Sequence, residues 1–131
     1  MKWLLLDTSV YFAFIRRHRQ AGYAIGGADE IYLNVIVMGE IFEAFLRGSK
    51  REQNQADFDR FVDSPYINII AIDEITAERY AYISDTLRRS GTPISLNDTW
   101  IAASALQHGL EILTFDSDFM RVPQVVTRLL Y

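Results

Sequence analysis

Four short apolar runs punctuate this chain: WLLL at 3–6, IYLN at 31–34, INIIAI at 67–72 and EILTF at 111–115. Each is too short for a buried helix, and none sustains the alternation of a strand with one wet face. Such runs suit strands covered on both sides, the environment of a parallel sheet. The stretches between them carry helical spacing. One predicted helix runs from about Ser9 to Arg17. Residues 20–29 hold three glycines and little period, which predicts a loop or a short irregular helix. Asn34 can cap a helix over VIVMGEIFEAFLR that stops at Gly48. Ser49 and Glu52 have capping-box spacing ahead of a polar helix reaching about Val62. Further helices are expected over Ile75–Arg89 and from Asp98 or Thr99 to His108, where Gly109 stops the second. VVTRLL at 125–130 is a fifth strand or a tail.

This alternation predicts a parallel sheet with helices on both faces. No repeat, low-complexity tract or linker divides the 131 residues, so a single domain over 1–131 is expected.

Composition removes several functions. With no cysteine, neither disulfides nor a thiolate zinc site can hold the fold. The two histidines, His18 and His108, read as surface or cap residues. A net charge of −4 argues against an all-round nucleic-acid coat. Basic residues nevertheless cluster at Arg16, Arg17 and Arg19, at Arg47, Lys50 and Arg51, and at Arg88-Arg89. Solvated faces are the ordinary meaning of such clusters. No apolar segment approaches the ~18 residues that span a bilayer, and Asp7 interrupts the N-terminal run. A soluble, unprocessed, cytoplasmic chain is the expectation.

In an open α/β sheet, ligands bind beyond the carboxyl ends of the strands. Asp7 ends the first strand there, and Asp116 and Asp118 follow the fourth. Asp98 opens a helix. Glu40 sits between Met38-Gly39 and Ile41-Phe42, where a lone buried carboxylate needs a partner. Each acid has a plain alternative: Asp7, Asp98 and Asp116 can be caps, and Glu40 can lie on the surface. Asn97 already suffices as a cap beside Asp98. Three or four carboxylates with no matching buried Lys or Arg form a hard-oxygen site, suited to Mg²⁺ or Mn²⁺ rather than zinc.

LLLDTSV, VMGEI, NDTWIAASALQHG and LTFDSDF, in that order over nearly the whole chain, resemble the PIN domain. The likeness is greatest to VapC toxins of VapBC toxin–antitoxin modules, including the FitB-like group. The resemblance implies a three-layer, Rossmann-like α/β/α sandwich with a mostly parallel central sheet. It implies a metal-dependent endoribonuclease whose four acids fall on Asp7, Glu40, Asp98 and Asp116. Asp118 matches a frequent extra acid, and Thr8, Ser9, Asn97 and Thr114 match supporting polar positions. SLND stands where many relatives carry Thr before the Asn-Asp pair. The implied cofactor is Mg²⁺, with Mn²⁺ an alternative. The implied partners are an RNA substrate, a VapB-type antitoxin docking across the acidic groove, and a second copy in a homodimer. Phe42, Phe45 and Phe58 could serve such interfaces or be plain core. Arg16, Arg17, Arg19, Arg47, Lys50 and Arg51 are then candidates to hold the RNA backbone.

Two rival readings remain. A non-catalytic binding module would use the acids only as caps. A phosphotransfer domain fits worse: a haloacid-dehalogenase-like site wants an acid where Ser9 stands, and a receiver wants a late lysine, whereas none follows Lys50.

Overall fold

The computed structural model describes all 131 residues. Its strands are β1 (Trp3–Leu6), β2 (Glu30–Asn34), β3 (Ile67–Ile70), β4 (Glu111–Thr114) and β5 (Thr127–Leu129). Its helices are α1 (Thr8–Ile15), α2 (Arg19–Gly26), α3 (Val35–Arg47), α4 (Arg51–Val62), α5 (Glu74–Arg89) and α6 (Leu96–His108), with a 3-10 turn at Ser117–Arg121. The sheet order is β3-β2-β1-β4-β5, and every pairing is parallel. The expected sandwich is present, and its sheet is wholly parallel. Crossover connections between parallel strands carry the helices that cover the sheet.

The apolar runs behave as their composition dictates. Leu4, Leu5 and Leu6 of the central strand are fully buried, as are Ile112 and Leu113 beside them. Residues 125–130 contribute a true edge strand over Thr127–Leu129. Helix α6 is buried almost all round, at Thr99, Ile101, Ala102, Ala103, Ser104 and Ala105. Its small side chains allow close approach, and Gly109 ends it in the left-handed conformation at φ 66°. Phe45 and Phe58 are core residues. With Tyr11, Phe12, Phe42 and Phe61 they form an edge-to-face cluster joining α1, α3 and α4.

Local details differ from expectation. Residues 19–26 form a regular helix, because the His18 Nδ1 accepts from the Ala21 amide at 3.3 Å and supplies the cap. No Ser49–Glu52 box forms. Lys50 occupies the cap position without a side-chain bond, and Gly48 leaves α3 extended, so Ser49 falls too early. The third strand stops at Ile70, since Asp73 and Thr76 form a capping box that starts α5 at Glu74. Helix α6 begins at Leu96, two or three residues early, with Ser95 as its cap.

Candidate metal centre

Strand order decides where chemistry can sit. From β1 the chain moves outward one way through β2 and β3, then returns to pair β4 on the other side of β1. The carboxyl ends of β1 and β4 therefore flank the topological switch point, where α/β sheets open a crevice.

Asp7 emerges from β1 at that point and is 8% exposed. Its amide donates to the Leu113 carbonyl at 3.0 Å, continuing the ladder to β4. Its Oδ1 accepts from the Thr8 amide at 2.8 Å, capping α1. Its Oδ2 accepts from the fully buried Thr114 hydroxyl at 2.8 Å and from the Ser9 hydroxyl at 3.5 Å. The same Thr114 oxygen accepts from the Asp116 amide at 2.9 Å, so one hydroxyl orients two acidic positions. Asp116 Oδ1 accepts from the Asp118 amide at 2.8 Å.

Glu40 reaches the group from α3. Its Oε1 accepts from the Thr8 hydroxyl at 2.5 Å and its Oε2 from the Asn97 amide group at 3.3 Å. The half-buried Glu40 thus has the partners that burial demands, while Glu43 turns outward to Arg47. Asn97 is not the cap of α6. Ser95 is, accepting from the Asp98 amide at 3.1 Å. No backbone amide occupies either Asp98 oxygen, so capping does not explain that residue. The Ser-x-x-Asp spacing of Ser95 and Asp98 was the signal available for this cap.

The electrostatics agree with the placement. Burial pushes the Asp98 carboxyl up to about 6, helped by the charges of Asp7, Asp116 and Glu40 and opposed by Ser95. Burial raises Asp7 as well, with Glu40 and Asp116 adding to it against the hydrogen bonds from Thr114 and Thr8. None of the chain's ion pairs involves Asp7, Glu40, Asp98 or Asp116. Asp118 stands apart, turned to Arg121 at 3.3 Å.

Residues 4–125 match the PIN domain. This chain belongs to the PIN-domain family. Among its relatives, ribonuclease VapC4 of Mycobacterium tuberculosis (strain ATCC 25618 / H37Rv) is 31% identical over 125 residues, 92% of each chain. Ribonuclease VapC of Rickettsia bellii (strain RML369-C) is 29% identical over 126 residues, 93% of this chain and 92% of its own. The FitAcB structure from Neisseria gonorrhoeae superposes with a TM-score of 0.80 at 26% identity, over 95% of both chains. VapBC2 from Rickettsia felis, bound to a DNA fragment from its promoter, reaches 0.84 at 23%, over 97% of this chain and 98% of that one, a likeness of fold.

The donor set of this PIN domain fits a hard divalent cation: it is all oxygen, mutually repulsive and without a protein cation. No three acidic or imidazole side chains already close around a common point as ligands do. The fit therefore lies in donor chemistry and placement, with side-chain rotation still needed to complete a shell. A shallow cavity of about 250 Å³ lined by Val35, Ile36, Gly39, Glu40, Glu43 and Asn97 opens beside the acids. The larger concavity, about 790 Å³, lies elsewhere, lined by Phe14, Ile25, Ile31, Phe61 and Ile67 among others.

A bond that the sequence did not mark stabilises this arrangement. Fully buried Asn34 caps α3 through Val37 and donates to the buried Ser104 hydroxyl of α6 at 3.0 Å. This bridge ties the helix carrying Glu40 to the helix carrying Asp98. A serine within an apolar helix was its only trace in the sequence.

The two expected substrate-binding runs differ. Arg16, Arg17 and Arg19 are exposed and have no acidic partner. Arg47 pairs with Glu43 at 3.3 Å, and Arg51 donates to the Leu46 carbonyl at 2.8 Å, leaving Lys50 without a partner.

Proposed function

We propose that this PIN domain is a Mg²⁺- or Mn²⁺-dependent endoribonuclease, acting as the toxin of a type II toxin–antitoxin pair. One observation carries the reading: four carboxylates gather at the switch point of a parallel sheet with no Lys or Arg among them. Leaving such charges unpaired is costly unless a cation from outside relieves them. The relatives named ribonucleases support RNA as the substrate.

In this reading Asp7, Asp98 and Asp116 hold the metal, and Glu40 either joins them or orients water beside it. Bound there, a divalent ion supplies charge neutralisation at the phosphoryl oxygens and makes water more acidic. The chain supplies the rest. Thr114 fixes the Asp7 Oδ2, and Thr8 and Asn97 hold the two oxygens of Glu40. The packed face of α6 keeps Asp98 in place. Asp118 serves in support, its carboxylate held by Arg121.

The FitAcB and VapBC neighbours are complexes, which supports a VapB-type antitoxin partner. The 790 Å³ apolar concavity suits an amphipathic segment of such a partner. Exposed Val35 and Leu96 near the acids support a homodimer. No helix is long and apolar enough to cross a membrane, in keeping with a cytoplasmic protein.

The test is cleavage of end-labelled structured RNA by nuclease-free protein with Mg²⁺, with Mn²⁺ and with EDTA, beside the Asp98→Asn variant. Metal-dependent cuts that vanish in the variant are expected. Equal cutting by the variant, or in EDTA, would remove this reading. No cutting, together with no Mn²⁺-induced rise in melting temperature, would favour a binding module.

A further inference from the structure

We propose that the turn Arg16–Arg19 grips the sugar–phosphate backbone of RNA lying across the acidic cluster, and that the basic run Arg47–Arg51 takes no part. The inference rests on the nuclease reading and assigns its substrate contact to one of two basic runs. Charge alone does not choose between them.

Three features select the first run. The first is availability. Arg47, Arg60, Arg79, Arg88, Arg89 and Arg121 are each engaged in an ion pair, and Arg51 bonds to a carbonyl. Arg16, Arg17 and Arg19 are all exposed and none is in an ion pair, whereas in the second run only Lys50 is free. Arg16 is steadied over the Phe12 ring at 5.9 Å, a contact that leaves its charge intact.

The second is presentation. Arg17 has φ 63°, the left-handed position of a Schellman cap: its amide donates to the Phe14 carbonyl at 3.0 Å and the His18 amide to the Ala13 carbonyl at 2.9 Å. That cap ends α1 and joins it to α2, so the three arginines share one short turn.

The third is anchoring. The His18 ring lies edge-on to Phe115, 5.1 Å between centroids, and Phe115 directly precedes Asp116. His18 Nδ1 also caps α2 through the Ala21 amide. Helix α1 begins at the Asp7 cap and ends at Arg16. The turn is thus fastened to both strands that bear the acids, about 12 Å along α1 from Asp7.

The ordinary alternative is that these arginines complement helix dipoles. That explains Arg16, at the C-terminal end of α1, where a cation is favoured. It fails for Arg19, the first residue of α2, where the dipole disfavours a cation.

Phosphate contacts are read from salt dependence. Each contact adds about 0.7 to the slope of log K against log salt for a single strand. The assay is fluorescence anisotropy of a labelled RNA hairpin with single-stranded flanks, in Mg²⁺ over a KCl series. The parent is the Asp98→Asn protein. One derivative adds Arg16→Ala, Arg17→Gly and Arg19→Ala, with glycine chosen to suit the left-handed backbone. The other adds Arg47→Ala, Lys50→Ala and Arg51→Ala. Melting temperatures confirm that both derivatives fold. The first derivative is expected to bind at least about tenfold more weakly at low salt, with a slope shallower by about 1.5–2. The second is expected to match the parent. Equal losses in both, or a loss confined to the second, would overturn the proposal while leaving the nuclease reading intact. A parent without salt-dependent RNA binding would remove both.

Discussion

Two sets of acids in this chain behave in opposite ways. On the outer faces of the helices, Asp85 meets Arg88 at 2.5 Å and Arg89 at 3.0 Å, Asp57 meets Arg60, and Glu43 meets Arg47. These are pairs at i,i+3 and i,i+4 spacing, screened by water and worth little each. At the carboxyl edge of the sheet, Asp7, Glu40 and Asp116 receive hydrogen bonds from Thr8, Asn97, Thr114 and local amides, and neither they nor Asp98 meet a cation. The chain pairs its acids where pairing matters least and leaves them unpaired where desolvation makes charge expensive. In the proposed nuclease, chemistry rather than stability accounts for the second set.

The contrast can be broken most directly at Asp98. Asp98→Asn is expected to lower metal-dependent RNA cleavage by at least about 100-fold, with the melting temperature kept or raised. A large fall in melting temperature with activity per folded molecule retained would make Asp98 a structural residue. Thr114→Val tests the support one step out. Losing the hydroxyl that orients both Asp7 and Asp116 is expected to weaken Mn²⁺ binding about 10–100-fold by calorimetry. Unchanged affinity would mean that the carboxylates need no such orientation.

A pH series sharpens the electrostatic side. The Asp98 carboxyl lies at about 6 in the folded chain against 3.8 for the free side chain. Between those values the folded state binds the proton that the unfolded chain has released. The stabilising contribution is complete below the lower value and is lost as pH rises through the upper one. In EDTA, the melting temperature of the wild type is expected to fall relative to Asp98→Asn from about pH 4 to about pH 7. Parallel curves would show that Asp98 does not titrate differently on folding. The smallest effect belongs to the other set. Asp85→Asn is expected to cost no more than about 1 kcal/mol in denaturant melts and to leave Mn²⁺ affinity unchanged. A larger loss would mean that the outer pairs are less screened than their exposure implies.

Much of this was readable before any coordinates. Unalternating apolar runs have few solutions besides buried parallel strands, and Gly109 and Asn34 mark helix ends through local backbone chemistry. Local signals failed where two candidates competed. Asn97 was the expected cap of α6, yet Ser95 two residues earlier caps it, and the Ser49 box fails because Gly48 carries the chain away before Ser49 can act. Residues 20–29 read as a loop or short irregular helix because of three glycines and little period, yet the His18 cap starts a regular helix over Arg19–Gly26.

By itself the sequence determined the elements, their parallel pairing and the positions of the acids along the chain, because period, burial and capping act over a few residues. The tertiary structure decided what those positions mean. Strand order 3-2-1-4-5 puts Asp7 beside Asp116, and the buried Asn34–Ser104 bridge brings Glu40 toward Asp98. The Arg47–Glu43 pair, one helical turn apart, is by contrast set by spacing within α3, while packing leaves Arg16, Arg17 and Arg19 without an ion pair. Spacing along a chain encodes pairs one helical turn apart, not which distant charges meet in space. Packing makes that choice, and with it which charges stay free for a ligand.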